Sequence, residues 1–108
     1  MSNQATIENK LLALKQKYLQ SLPEKLNIIT SLWQACAEQM SIDDKALESA
    51  LHKLAGSAGM YEEDELGQIA REIELIVAAS GDTLNAQSQQ QITEGLRQLE
   101  EKIQQLSA

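Results

Sequence analysis

The chain has 108 residues, the length of one domain of about 100–150 residues, so a single unit over 1–108 is expected with no room for a second core. Nine Lys and Arg against sixteen Asp and Glu give a net charge of −7, which repels nucleic-acid phosphates and anionic lipid and argues against both as partners. Aliphatic residues are plentiful, Phe is absent, and Pro and Gly together number six, a balance that suits packed helices and points to an all-α fold.

In chain order, Ile7, Leu11, Leu14 and Tyr18 recur at spacings of four, three and four, which predicts a first helix near 4–20 with one apolar face that covers a core edge. Ser21-Leu22-Pro23-Glu24 reads as a capping box with Pro23 in the first turn, so a second helix starts here, or a long one kinks. Leu22, Leu26, Ile29, Trp33, Cys36 and Met40 extend the same spacing and should form a central core wall. Cys36 is the only cysteine; it has no internal disulfide partner and reads as a buried thiol on that wall. Ser41-Ile42-Asp43-Asp44 is a polar break with acidic residues suited to the start of a helix near 43–60.

Leu66, Ile69, Ile73 and Val77, with Ala70 and Ile76 beside them, predict a further helix that stops at Ser80-Gly81, with Gly81 in a left-handed C′ conformation. Asp82 or Asn85 caps the last helix. Its stripe is Ile92, Leu96, Leu99, Ile103 and Leu106, with Gln87 to Gln91 as a solvated start, and Gly95 inside it costs about 1 kcal/mol against Ala, which packing must offset. Short connections predict an antiparallel up-down four-helix bundle, with the additional N-terminal helix packed across one end. Residues 1–10 have no apolar signal-peptide core, and no run approaches the roughly 18 residues of a membrane span, so a cytoplasmic protein is expected. A monomer is the default, and the start at Met1 without a long linker favours a free-standing protein over a fragment.

His52 is the only histidine. Leu47, Leu51, Leu54 and Ala58 cluster on one side of its helix, with a mean direction roughly 130° from His52, so the imidazole should point outward. Lys45 and Ser49 precede it on the same side by two turns and one, and Gly56 and Gly59 follow it. Two glycines on an exposed helix face cost about 1 kcal/mol each against Ala, and close approach by another macromolecule would explain them. A lone surface histidine is by itself most often incidental. An exposed neutral imidazole is nonetheless a ready nucleophile toward a phosphoryl group carried on a partner's carboxyl, with Lys45 or Lys53 near enough to offset charge. Glu48 and His52 at i, i+4 lack a convincing third ligand for a metal.

His52-Lys53-Leu54-Ala55-Gly56-Ser57-Ala58-Gly59, followed by the helix Leu66 to Glu74 ending Arg71-Glu72-Ile73-Glu74, resembles the signature of the histidine phosphotransfer (HPt) family over about residues 47–77. That resemblance implies that His52 is the phosphoryl acceptor, that Gly56 leaves space beside its imidazole, and that receiver domains of response regulators dock over this helix. Lys45, Ser49, Lys53, Ser57 and Gly59 would complete the environment of the phosphohistidine and the docking face. It implies no cofactor and no metal in this chain, the magnesium ion belonging to the receiver, and no autonomous kinase or other enzyme activity. A hybrid sensor histidine kinase is a further candidate partner. The rival reading is a helical adaptor that binds a kinase or regulator by the same surface without accepting phosphate. Two departures from the family pattern stand out. Ala55 occupies a position where many members carry Lys, and Glu62 one where Gly is common; if that position needs φ > 0, Glu adds roughly 1 kcal/mol of strain.

Overall fold

The computed structural model describes residues 3–39, 45–81 and 83–107. They form four helices, α1 (Asn3–Gln39), α2 (Ala46–Met60), α3 (Asp64–Ser80) and α4 (Ala86–Ser107). α1 packs on α2 and α4, and α3 packs on the same two, so the helices close a ring around one core. Ile29, Leu51, Leu66, Ile73, Ile92 and Leu99 are among its fully buried side chains. The core residues of α2, α3 and α4 are those the periodicity predicts, with Ile69, Ile76 and Leu106 at its margin.

The first half of the chain departs from the expectation of five helices. No boundary falls at Ser21: α1 runs through Pro23 as one helix of 37 residues. The Ser21 hydroxyl turns back and donates to the Tyr18 carbonyl at 2.6 Å, and Lys25 Nζ donates to Ser21 Oγ at 2.8 Å, so Ser21 is not a cap. Pro23 deprives the Leu19 carbonyl of its helical partner, at a cost of about 3 kcal/mol. The same helix buries Tyr18 and Leu22 before the proline and Ile29, Trp33 and Cys36 after it. Fully burying one such side chain contributes about 1.5–3 kcal/mol, and continuing the helix is what keeps all five on one stripe. Met40 and the break at 41–44 lie outside the described residues.

Nor does a separate first helix lie across the bundle end. Ile7, Leu11 and Leu14, expected to cover a core edge, are at least half exposed. The reason is length: 37 residues make a helix of about 55 Å, whereas the 15 residues of α2 reach about 22 Å. The molecule measures 60 × 22 × 18 Å, and the N-terminal part of α1 extends past its neighbours.

The turn from α2 to α3 is a Schellman motif. Glu63 N–H donates to the Ala58 carbonyl at 2.8 Å and Glu62 N–H to the Gly59 carbonyl at 3.2 Å, which puts Glu62 at C′. Its φ is +62°, so the strain anticipated for a non-glycine there is present. Asp64 and Glu65 then sit in the first turn of α3, where carboxylates favour the positive end of the helix dipole. α3 ends at Gly81 with φ +64° and ψ −141°, a positive φ as expected but not the left-handed helical basin. Asn85 caps α4, its Oδ1 accepting from Ser88 N–H at 2.7 Å; Asp82 lies outside the described residues.

Two glycines have opposite surroundings. A Cβ at Gly95 would stand 2.7 Å from Ile73 Cγ1, whereas one at Gly56 would meet nothing within 4 Å. Gly95→Ala should therefore lower stability by about 1 kcal/mol despite its better helix propensity, because overpacking costs about 1–3 kcal/mol. Gly56→Ala should raise it by about 0.5–1 kcal/mol. Urea unfolding of the two variants checks both signs, and equal shifts would contradict the packing. Replacing Glu62 by Gly should stabilise by about 1 kcal/mol, measured the same way.

Candidate functional site

α2 and α3 approach closely because Gly67 faces α2 without a side chain: a Cβ there would lie 3.2 Å from the Ala55 carbonyl oxygen and 3.4 Å from Ala58 Cβ. Glu74 follows Gly67 by two turns on the same side of α3 and so also faces α2. Its carboxylate meets the acceptor candidate, with Glu74 Oε2 2.8 Å from His52 Nδ1. The imidazole is 76% exposed and the Glu74 side chain only 17%. The base of the ring is thus held while its far edge faces solvent.

A carboxylate accepts hydrogen bonds and a neutral imidazole carries its proton on one nitrogen, so this contact places the proton on Nδ1 and the lone pair on Nε2. Glu74 orients the ring much as an aspartate or backbone carbonyl orients a catalytic or metal-bound histidine. The nitrogen left with a free lone pair, Nε2, lies on the edge of the ring away from Glu74.

The other residues singled out by sequence divide into two groups. Ser49, Gly56 and Gly59 are exposed on α2; Gly56 and Gly59 have open space where a Cβ would be. Lys45 is exposed at the N-cap position, its carbonyl accepting from Ser49 N–H at 2.8 Å. It precedes His52 by seven residues, about 10 Å along the axis. Lys53 and Ser57 face α1 instead, along a shallow groove lined also by Ser49, Lys25, Ile28 and Leu32. Ser57 Oγ lies 2.7 Å from the Tyr18 hydroxyl and donates to the Leu54 carbonyl at 3.1 Å. Its hydroxyl is therefore engaged in fastening α2 to α1. Tyr18 is fixed further by stacking on Tyr61, with ring centroids 4.4 Å apart, and burial pushes its phenol above the ordinary value against the opposing pull of the Ser57 hydrogen bond.

Glu74 and Lys25 are the members that sequence reasoning passed over. Lys25 stands beside Lys53 in the groove, with its ammonium 5.5 Å from the Tyr18 ring centroid. Glu74 carried a readable signal: it lies one turn after buried Ala70 and two after Gly67, so a helical wheel places its carboxylate on the flank that packs. Among the described residues no three His, Cys, Asp or Glu side chains gather as a metal site, and no helix is long and apolar enough to cross a membrane.

A family model described as "Hpt domain" matches residues 13–108. Comparison with curated proteins and with solved structures finds no match.

Removing the Glu74 carboxylate should release the tautomer while leaving the fold. In Glu74→Ala the ring 15N shifts of His52 should move toward the mixture of tautomers typical of a free imidazole, with helix content unchanged. Ring shifts identical to those of the parent would show that Glu74 does not set the tautomer.

Proposed function

The chain belongs to the Hpt domain family, and on that premise we propose that it is a phosphocarrier of a two-component phosphorelay, holding a phosphoryl group on His52 between receiver-domain aspartates. The observation that carries this reading is the exposed imidazole whose Nδ1 is engaged by Glu74 at 2.8 Å. In the transfer, Nε2 attacks the phosphorus of an aspartyl phosphate. The P–N bond forms as the P–O bond to the aspartyl carboxyl breaks, and the carboxylate leaves with the electron pair. The ring gains positive charge as its lone pair is used, and the Glu74 carboxylate lies where that charge develops. Transfer onward is the same displacement in reverse. The receiver supplies the magnesium ion and the reactive carboxyl, so this chain contributes a positioned nucleophile and clearance around it.

Open space at Gly56 and Gly59 supports docking of a receiver close to the α2 backbone. Lys45, two turns before His52 on its own side, and Lys53, in the groove against α1, are both exposed and would add positive charge to the wider surface met by a phosphorylated partner. The bundle is read as antiparallel: Tyr18 meets Ser57 while Lys15 meets Glu63, and Ile73 meets Gly95 while Glu65 meets Lys102. In each pair the numbers rise on one helix as they fall on the other, which supports that sense.

Incubation with a phosphorylated receiver domain should give a phosphorylated chain whose label is acid-labile, and His52→Gln should give none while keeping its helix content. Glu74→Ala should still accept phosphate, at a rate lower by about 10- to 100-fold, the usual effect of losing an orienting partner. Binding of receivers without transfer by the parent chain would replace the carrier with an adaptor.

A further inference from the structure

The part of α1 that outreaches the bundle is not a polar spacer. Ile7, Leu11, Leu12 and Leu14 are 55, 59, 60 and 50% exposed, and Met60, at the end of α2, is 80% exposed. Leu11, Leu12, Leu14, Met60, Tyr61 and Glu62 line one concave corner between the overhang and the α2–α3 turn. The family match begins at residue 13, so Ile7, Leu11 and Leu12 lie outside the shared module and need a reason of their own.

We propose that this corner receives the same segment of a second copy, giving a two-fold dimer in which the overhanging parts of α1 pair antiparallel. Three observations select a second copy as the occupant. The first is periodicity: Ile7, Leu11 and Leu14, all exposed, occupy alternating d and a positions of a heptad, the pattern by which two helices pack seam to seam. The second is charge. Residues 3–20 carry three lysines and one glutamate, while Glu62-Glu63-Asp64-Glu65 is an unbroken acidic run in a chain of net charge −7. Lys15 already pairs with Glu63 within one chain at 3.3 Å. Antiparallel pairing about the point between Leu11 and Leu14 carries residues 7–10 of one copy to the other copy's α2–α3 turn. Lys10 of one copy then lies beside the other copy's Lys15–Glu63 pair and the acidic run that continues from it, and Ile7 approaches Met60. Each surface is its own complement, as a two-fold interface requires.

The third is area. Five apolar side chains of this exposure leave on the order of 500 Å² uncovered per copy, and two copies together reach about 1,000 Å², the lower bound for a specific interface. A dimer of modest affinity follows, in place of the monomer expected from sequence alone. His52 sits two turns back from the corner on α2, and the dimer leaves its imidazole uncovered.

Sedimentation equilibrium of the full chain across a range up to about 0.5 mM tests this. The parent chain should approach twice its monomer mass with rising concentration. Leu11→Glu/Leu14→Glu changes only exposed positions and should stay monomeric with the parent's helix content and, at dilutions where the parent is itself monomeric, the parent's unfolding midpoint in urea. Lys10→Glu should weaken the dimer by about two- to fivefold, the effect of an exposed ion pair. A parent chain that is monomeric throughout, or a dimer that survives the Leu11→Glu/Leu14→Glu change, overturns the proposal. So does a monomeric parent whose receiver binding is lost in that double variant, which would assign the corner to the receiver. His52 phosphorylation is read separately, so failure of the dimer and failure of the carrier reading are distinguishable.

Discussion

The closeness of α2 and α3 at Gly67 is the constraint on which the site depends. A Cβ there would stand 3.2 Å from the Ala55 carbonyl oxygen and 3.4 Å from Ala58 Cβ, so a larger side chain would press the helices apart and lengthen the reach from a carboxylate on α3 to an imidazole on α2. Helix packing distance is set by the side chains at the crossing point, and here the smallest residue sets it. The chemical contact between His52 and Glu74 is thus a consequence of a backbone contact two turns away.

Around that contact the chain retains features that stability alone would not select. Gly56 and Gly59 are exposed helical glycines with nothing near them, and Glu62 holds a positive φ. The glycines weaken the helix while clearing the exposed face around His52, which is coherent with a surface shaped for a partner. Glu62 has no such explanation within one copy: the turn it forms is complete by its backbone hydrogen bonds, which a glycine would make equally well.

The bundle itself was legible in sequence wherever the apolar stripe was bounded by real stops. α2, α3 and α4 were readable because Leu47 to Ala58, Leu66 to Val77 and Ile92 to Ile103 repeat cleanly and end at turns. In α1 the choice between a new helix and one long helix is open from sequence, because Ser21, Pro23 and Glu24 have the local chemistry of a helix start, while the tertiary burial of Leu22 and Ile29 on one stripe favours continuing. A proline penalty is local and visible in sequence; the packing that offsets it is neither. The exposure of Ile7, Leu11 and Leu14 was illegible for the same reason, since periodicity shows that a face is apolar and not whether anything lies opposite. At the site, outward placement of His52 followed from the wheel of its own helix. Its partner did not, because the pairing of α2 with α3 fixes which turn meets which.

The separation of His52 from Glu74 is 22 residues, and both lie on consecutive helices joined by a tight turn. The ring closes through α1 and α4, the two ends of the chain, at far greater separation. Loop-closure entropy rises with the number of residues enclosed, and contacts near in sequence form early. The His52–Glu74 pair is therefore carried by the chain's most local helix hairpin, whose closure costs less entropy than that between the termini.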